Sequence, residues 1–219
     1  MAIWIKASDK EDKGDREDEE NEEVEVISSL SSASSLPPCG AERIRDLVLS
    51  LRNFSRLDES ARKTVNIHEG IDSNLTILPK KLAGIKAIKN YGNLPLVNCY
   101  AGEVNQVFMN ILSNAIDALA QGIGSKADST QVPTIRIGTE LRERNQVAIR
   151  IADNGVGMSS EVVDKILDPF FTTKPVGKGT GLGLSISYQI VVDQHGGQLL
   201  CQSAPGEGTQ FTIVLPIDL

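Results

Sequence analysis

The stretch Ile149–Ser187, IRIADNGVGMSSEVVDKILDPFFTTKPVGKGTGLGLSIS, decides how the chain is read. It joins a strand that ends on an aspartate, a glycine turn, a loop, and a second glycine cluster that opens a helix. In the preceding VAIRIAD, Val147, Ile149 and Ile151 alternate with other residues, so one face is apolar and Asp153 stands at the mouth of a strand. Asn154, Gly155, Val156 and Gly157 then form a turn in which glycines admit positive φ and let a flat ring approach the backbone. Downstream, Gly177, Gly179, Gly181 and Gly183 precede a helix-like run, where free amides and the helix dipole suit phosphate.

Upstream, EVNQVFMNILSNAIDALAQ (Glu103–Gln121) repeats Val107, Ile111, Ala115, Ala118 and Leu119 at three- and four-residue spacing, which predicts an amphipathic helix. Asn110 and Asn114 share one of its faces although asparagine is a poor helix former, and an amide oxygen is a hard ligand suited to magnesium.

Asn110 and Asn114, DNGVG, PFFTTK, GKGTGLGLS and the terminal GEGTQFTIVLP follow one another in an order and spacing that resembles the ATP-binding catalytic domain of sensor histidine kinases, from about Val65 to the C-terminus. The resemblance implies an α/β fold, a two-layer α/β sandwich with helices on one face of a mixed sheet. This is the Bergerat ATP-binding fold, shared with DNA gyrase, Hsp-type chaperone ATPases and mismatch-repair ATPases. Those hydrolases carry a general-base glutamate four residues before the magnesium asparagine, where this chain has Asn110. An amide cannot accept a proton from water, which favours kinase over hydrolase.

The implied ligands are ATP and Mg2+. Nucleotide contacts are expected at Asn110, Asn114, Asp117, Asp153, Gly155, Gly157, Phe170, Phe171, Lys174, Lys178, Gly179, Thr180, Gly181, Leu182, Gly183 and Thr209, with Asn114 as the magnesium ligand. Asp153 would accept the adenine amine, a contact denied to the guanine carbonyl because two acceptors would face each other. Thr209 is open to two readings, a water-orienting hydroxyl or an ordinary strand residue. Lys174 and Lys178 are either phosphate partners or solvated lysines. Phe170 and Phe171 either anchor a nucleotide-ordered loop from about Met158 to Thr180 or fill the core. The implied partners are the receiver domain of a response regulator and a second copy of the chain through a dimerisation hairpin, with no nucleic acid.

Three regions are expected: an acidic, Ser-rich disordered tail (1–38), one dimerisation-type helix (40–60) and the catalytic domain (64–219). The tail holds 11 acidic and 4 basic residues, so it accounts for the whole net charge of −7 and leaves the remaining chain balanced. In GAERIRDLVLSLRNFSRLDE, Ile44, Leu47, Leu51 and Phe54 form a heptad-like seam that needs a partner helix. The family's phosphoacceptor histidine would lie on that partner.

Neither histidine present is a good acceptor. His68 lies beyond the helix and is followed by Glu69-Gly70 without the expected proline, and His195 is placed to cap a helix C-terminus as an imidazolium. A truncated nucleotide-binding module and a slow gyrase-like ATPase therefore remain as alternatives. With no apolar run near the ~20 residues needed to cross a bilayer, no signal-type h-region, and three widely spaced cysteines, a cytoplasmic location is expected.

Overall fold

The computed structural model describes residues 61–78, 82–125, 132–143, 145–175 and 179–218. The expected tail, the helix at 40–60 with its Ile44 to Phe54 seam, and Lys178 lie outside these residues. Among the described residues, seven strands and four α-helices follow in the order β1 (Lys63–Val65), α1 (Ile67–Ile77), β2 (Lys86–Tyr91), β3 (Val97–Cys99), α2 (Ala101–Ser125), β4 (Thr134–Arg142), β5 (Gln146–Asp153), α3 (Ser160–Val163), α4 (Gly183–Tyr188), β6 (Gln198–Ala204) and β7 (Gly208–Pro216). Strands β2-β4-β5-β7-β6 make one mixed sheet in which only the β2–β4 pair is parallel, and β1 pairs with β3. The two-layer α/β architecture is that expected.

Register explains how the sheet is sided. Ile137, Ile151, Phe211 and Cys201 are cross-strand partners in one row, and Thr139, Ile149, Ile213 and Leu199 in another, all of them facing the helices. Intervening rows carry Arg136, Glu140, Arg150, Gln202 and Gln210, and on that polar face Arg150 pairs with Glu140 while Gln210 donates to Gln202. Helix α2 covers the apolar face, where Phe108, Ile111 and Leu112 meet Ile71 of α1 and the sheet isoleucines in one core.

Boundaries shift where local chemistry overrides periodicity. Helix α1 begins at Ile67, where the Asn66 side chain accepts from the His68 N–H and caps it. Helix α2 runs from Ala101 to Ser125, through Gly122 and beyond the Glu103–Gln121 span that the periodicity predicts. A helical glycine costs only about 1 kcal/mol.

The helix-like run after the second glycine cluster is α4 followed directly by a π-helical segment, Gln189–Gln194. At its end His195 is 0 % exposed, its Nδ1 lies 2.6 Å from the Ile190 carbonyl, and its Nε2 lies 3.2 Å from the Tyr100 backbone N–H. A carbonyl accepts and an amide donates, so the ring is the neutral tautomer with its proton on Nδ1. This corrects the imidazolium expected from the sequence: His195 does cap carbonyl oxygen, but without charge, because burial holds its pKa below the ordinary 6.5. In the unfolded chain the imidazole takes up a proton as pH falls through about 6.5, and the native ring does not. The stability it contributes is therefore complete above that pH and is lost below it, by up to about 1.4 kcal/mol per pH unit. Thermal unfolding between pH 7.5 and 5 should show a shallower acid loss in His195→Gln than in the parent; equal slopes would refute a buried neutral ring.

Candidate functional site

The mouth row of the sheet builds one wall of the site. Ile135, Asp153, Thr209 and Ser203 are partners across β4, β5, β7 and β6, on the face that α2 covers. Between this row, α2 and the segments around 156–158, 170–174 and 179–184 lies a cleft of about 920 Å3, within the usual range for small-ligand sites. Asn110, Asn114, Asp117, Asp153, Gly157, Phe170, Phe171, Lys174, Gly179, Thr180, Gly181, Gly183 and Thr209 all line it. Gly155 and Leu182 sit just behind, in the turns that shape its ends.

Asp153 Oδ1 accepts from the Gly155 N–H at 2.8 Å, and the carboxylate borders the cleft. Burial pushes its pKa above the usual carboxylate range, against the opposing pull of hydrogen bonds from the Gly155 and Thr209 backbone. A desolvated acceptor of this kind discriminates strongly, since leaving it unmatched costs about 1–3 kcal/mol. Gly157 has φ 66°, and a Cβ there would lie 1.9 Å from the Ala204 carbonyl oxygen, so the turn passes flush against the β6–β7 hairpin.

Ser203 went unrecognised in the sequence. Its hydroxyl donates to the Gly208 carbonyl at 2.9 Å and accepts from the Met158 N–H at 2.9 Å, while lying 3.0 Å from Thr209 Oγ1. With its one proton committed to Gly208, Ser203 accepts from Thr209, and the threonine lone pairs face the cleft. Counting back symmetrically from the Ala204–Gly208 turn would have paired the two residues.

At the opposite end, Asn110 Nδ2 donates to the Gly183 carbonyl (2.9 Å) and to Ser187 Oγ (3.2 Å), so it ties α2 to the first turn of α4. Gly181, at φ 71°, lies so close to Phe170 that a Cβ would stand 2.3 Å from the Phe170 carbonyl carbon. The two phenylalanines divide the readings left open above. Phe171 packs on the core, whereas Phe170 is 62 % exposed with φ 66°, a left-handed conformation that L side chains adopt at some strain. Lys174 Nζ donates to Asn114 Oδ1 (3.0 Å) and Asp117 Oδ2 (2.6 Å). These two oxygens already surround one cation, which is the donor set magnesium asks for.

Neither histidine lines the cleft. His68 stacks on Tyr91 (ring centroids 4.2 Å apart) and bonds Thr139 Oγ1 at 2.8 Å, a structural role. Among the described residues no helix is long and apolar enough to cross a membrane.

Comparison with known proteins agrees with this geometry. The family described as histidine kinase-, DNA gyrase B- and HSP90-like ATPase matches residues 100–219. Sensor kinase CckA of Brucella abortus (strain 2308) is 36% identical over 183 residues, covering 80% of this chain and 19% of that protein. The signal transduction histidine-protein kinase AtoS of Escherichia coli (strain K12) is 34% identical over 183 residues, covering 81% and 28% respectively. The chain thus spans less than a third of the length of these relatives. The solved catalytic domain of histidine kinase ThkA, in a nucleotide-free form, superposes with TM-score 0.60 at 27% identity, over 72% of this chain and 97% of that domain. Matching motifs, sheet order and cleft together lead to one assignment: the chain belongs to the histidine kinase-, DNA gyrase B- and HSP90-like ATPase family and carries the ATP-binding catalytic domain of the sensor histidine kinase type.

Proposed function

We propose that this domain binds Mg-ATP and directs its γ-phosphoryl group onto an imidazole nitrogen of an acceptor helix, for relay to an aspartate of a response regulator. The observation that carries the choice of kinase over hydrolase is the state of Asn110. It stands one helical turn before Asn114, where a water-activating carboxylate would be needed, and its amide is spent on Gly183 and Ser187. The carboxylates among the described cleft residues are Asp117, held by Lys174, and Asp153, beside the glycine turn. Neither is free to deprotonate water at the phosphate end. An imidazole needs no such base, being nucleophilic at neutral pH.

In this reading Asp153 accepts the adenine amine, Gly155 and Gly157 let the base lie against the turn, and Thr209 orients a bridging water. The segment from Gly179 through Thr180, Gly181 and Leu182 to Gly183 offers backbone amides to the phosphates, with Lys178 as a further cationic partner. Asn114 holds the magnesium, which when bound offsets phosphate charge during in-line transfer. Phe170 and Phe171 brace the segment that covers the nucleotide.

Only two histidines occur in the sequence, and both are engaged structurally. The acceptor is therefore supplied from outside these 219 residues, on a hairpin that also completes the apolar seam at 40–60 and brings two copies together. The catalytic unit is 64–219, and the acidic tail at 1–38 acts as a solvated extension. Incubation with γ-labelled ATP should leave this chain unlabelled and place acid-labile phosphate on a supplied acceptor hairpin. Label mapped to His68 would make the chain its own substrate. Rapid phosphate release without transfer would favour a gyrase-like ATPase, and nucleotide binding with neither outcome would favour a non-catalytic binding module.

A further inference from the structure

We infer that Asn114 and Asp117 together form the divalent-cation site and that Lys174 is its resident cation in the nucleotide-free protein, so a metal ion and this lysine compete for the same two oxygens. The inference deepens the reading of the cleft as a Mg-ATP site and rests on it.

Asn114 and Asp117 lie three residues apart on α2, hence on one face of the helix, and Lys174 Nζ sits 3.0 Å from Asn114 Oδ1 and 2.6 Å from Asp117 Oδ2. One is a neutral amide oxygen and the other a carboxylate oxygen, both hard donors. An ammonium is a compact point charge that makes charge-assisted bonds to such oxygens, and it fills the space between them. A divalent ion cannot ligate both while the lysine stays.

Charge makes that exchange consequential. Among the described residues lining the cleft, Lys174 is the basic one, set against Asp117 and Asp153. While Lys174 is bound to Asp117, its charge is already neutralised, and little of it reaches a polyphosphate. If a divalent ion takes the oxygens instead, the lysine is released toward the phosphates with its charge unspent. Cation loading therefore converts one neutralised pair into two positive groups near the phosphate end.

Packing couples the exchange to the glycine segment. The Lys174 backbone is fixed by its N–H bond to Thr172 Oγ1 at 3.2 Å. A Cβ on Gly179 would stand 3.2 Å from Lys174 Cδ and 2.8 Å from Thr172 Oγ1, so the chain returning toward Gly181 lies directly on the lysine stem. Withdrawal of Lys174 from Asp117 must shift that support.

The test uses the nucleotide-free chain and Mn2+ as the probe, followed by electron paramagnetic resonance of the free ion. Lys174→Met should bind Mn2+ at least fivefold more tightly than the parent, Lys174→Arg should remain as weak as the parent, and adding Asp117→Asn to Lys174→Met should abolish the gain. Thermal unfolding confirms that each variant is folded. A second readout is amide exchange across residues 171–175, which should accelerate equally in Lys174→Met and Asp117→Asn, with no further gain in the double variant. Equal Mn2+ affinity in parent and Lys174→Met, or no Mn2+ binding by either, would overturn the shared site, and so would unchanged exchange. Failure of the parent to bind ATP analogues, by contrast, would sink the kinase reading while these metal measurements still stand.

Discussion

Gly157→Ala should unfold the DNGVG turn and abolish nucleotide binding, the largest single-residue effect expected in the domain. Two terms add. At φ 66° an L side chain costs about 1–2 kcal/mol, and forcing a methyl group against packed backbone costs about 1–3 more. The second term is severe because the obstacle is main chain: the new Cβ would lie 1.9 Å from the Ala204 oxygen and 3.1 Å from the Gly208 oxygen. The β6–β7 hairpin would have to retreat, and with it Ser203 and Thr209. A drop in melting temperature on the order of 10 °C is expected for a body of this size, together with loss of detectable ATP binding by calorimetry. Gly84→Ala is the control, since Gly84 has φ 82° but nothing within 4 Å of an added Cβ. It should show the conformational term alone. Comparable effects at the two glycines would mean that the hairpin contact carries no weight.

Asp153→Ala should weaken ATP binding by roughly one to two orders of magnitude while affecting GTP far less. The carboxylate is buried at the end of β5, and one oxygen is committed to the Gly155 N–H. In the proposed reading the carboxylate accepts an exocyclic amine, and truncation would leave that donor unmatched at about 1–3 kcal/mol. Guanine presents a carbonyl in that place, which the parent carboxylate repels and the alanine does not, so the ratio of ATP to GTP affinity should collapse toward one. Calorimetric titration with both nucleotides measures it. An unchanged ratio would remove Asp153 from base recognition, even if absolute affinity fell through loosening of the Gly155 turn.

Sequence alone was enough for the layered fold. Alternation in VAIRIAD sets which strand face is apolar, the three- and four-residue spacing from Val107 to Leu119 makes α2 amphipathic, and the glycines at 155, 157, 181 and 183 mark where backbone must approach closely. Such signals are local, because periodicity and φ preference act between near neighbours. Most residues that the resemblance marked for nucleotide contact, from Asn110 to Thr209, line the cleft, and each belongs to a short motif. Their partners were not legible in the sequence. Asn110 is bound to Gly183 across 73 residues of sequence, Lys174 to Asp117 across 57, and His195 to the Tyr100 amide across 95.

Each of those contacts added to a role or changed it: the asparagine expected to contact nucleotide also ties two helices, the lysine read as phosphate partner or solvated residue sits between two oxygens, and the histidine expected as charged is neutral. Side-chain charge and hydrogen-bond state depend on what is buried beside them, and in a sheet of order β2-β4-β5-β7-β6 it is packing of α2 and α4 on one face that decides which distant groups meet.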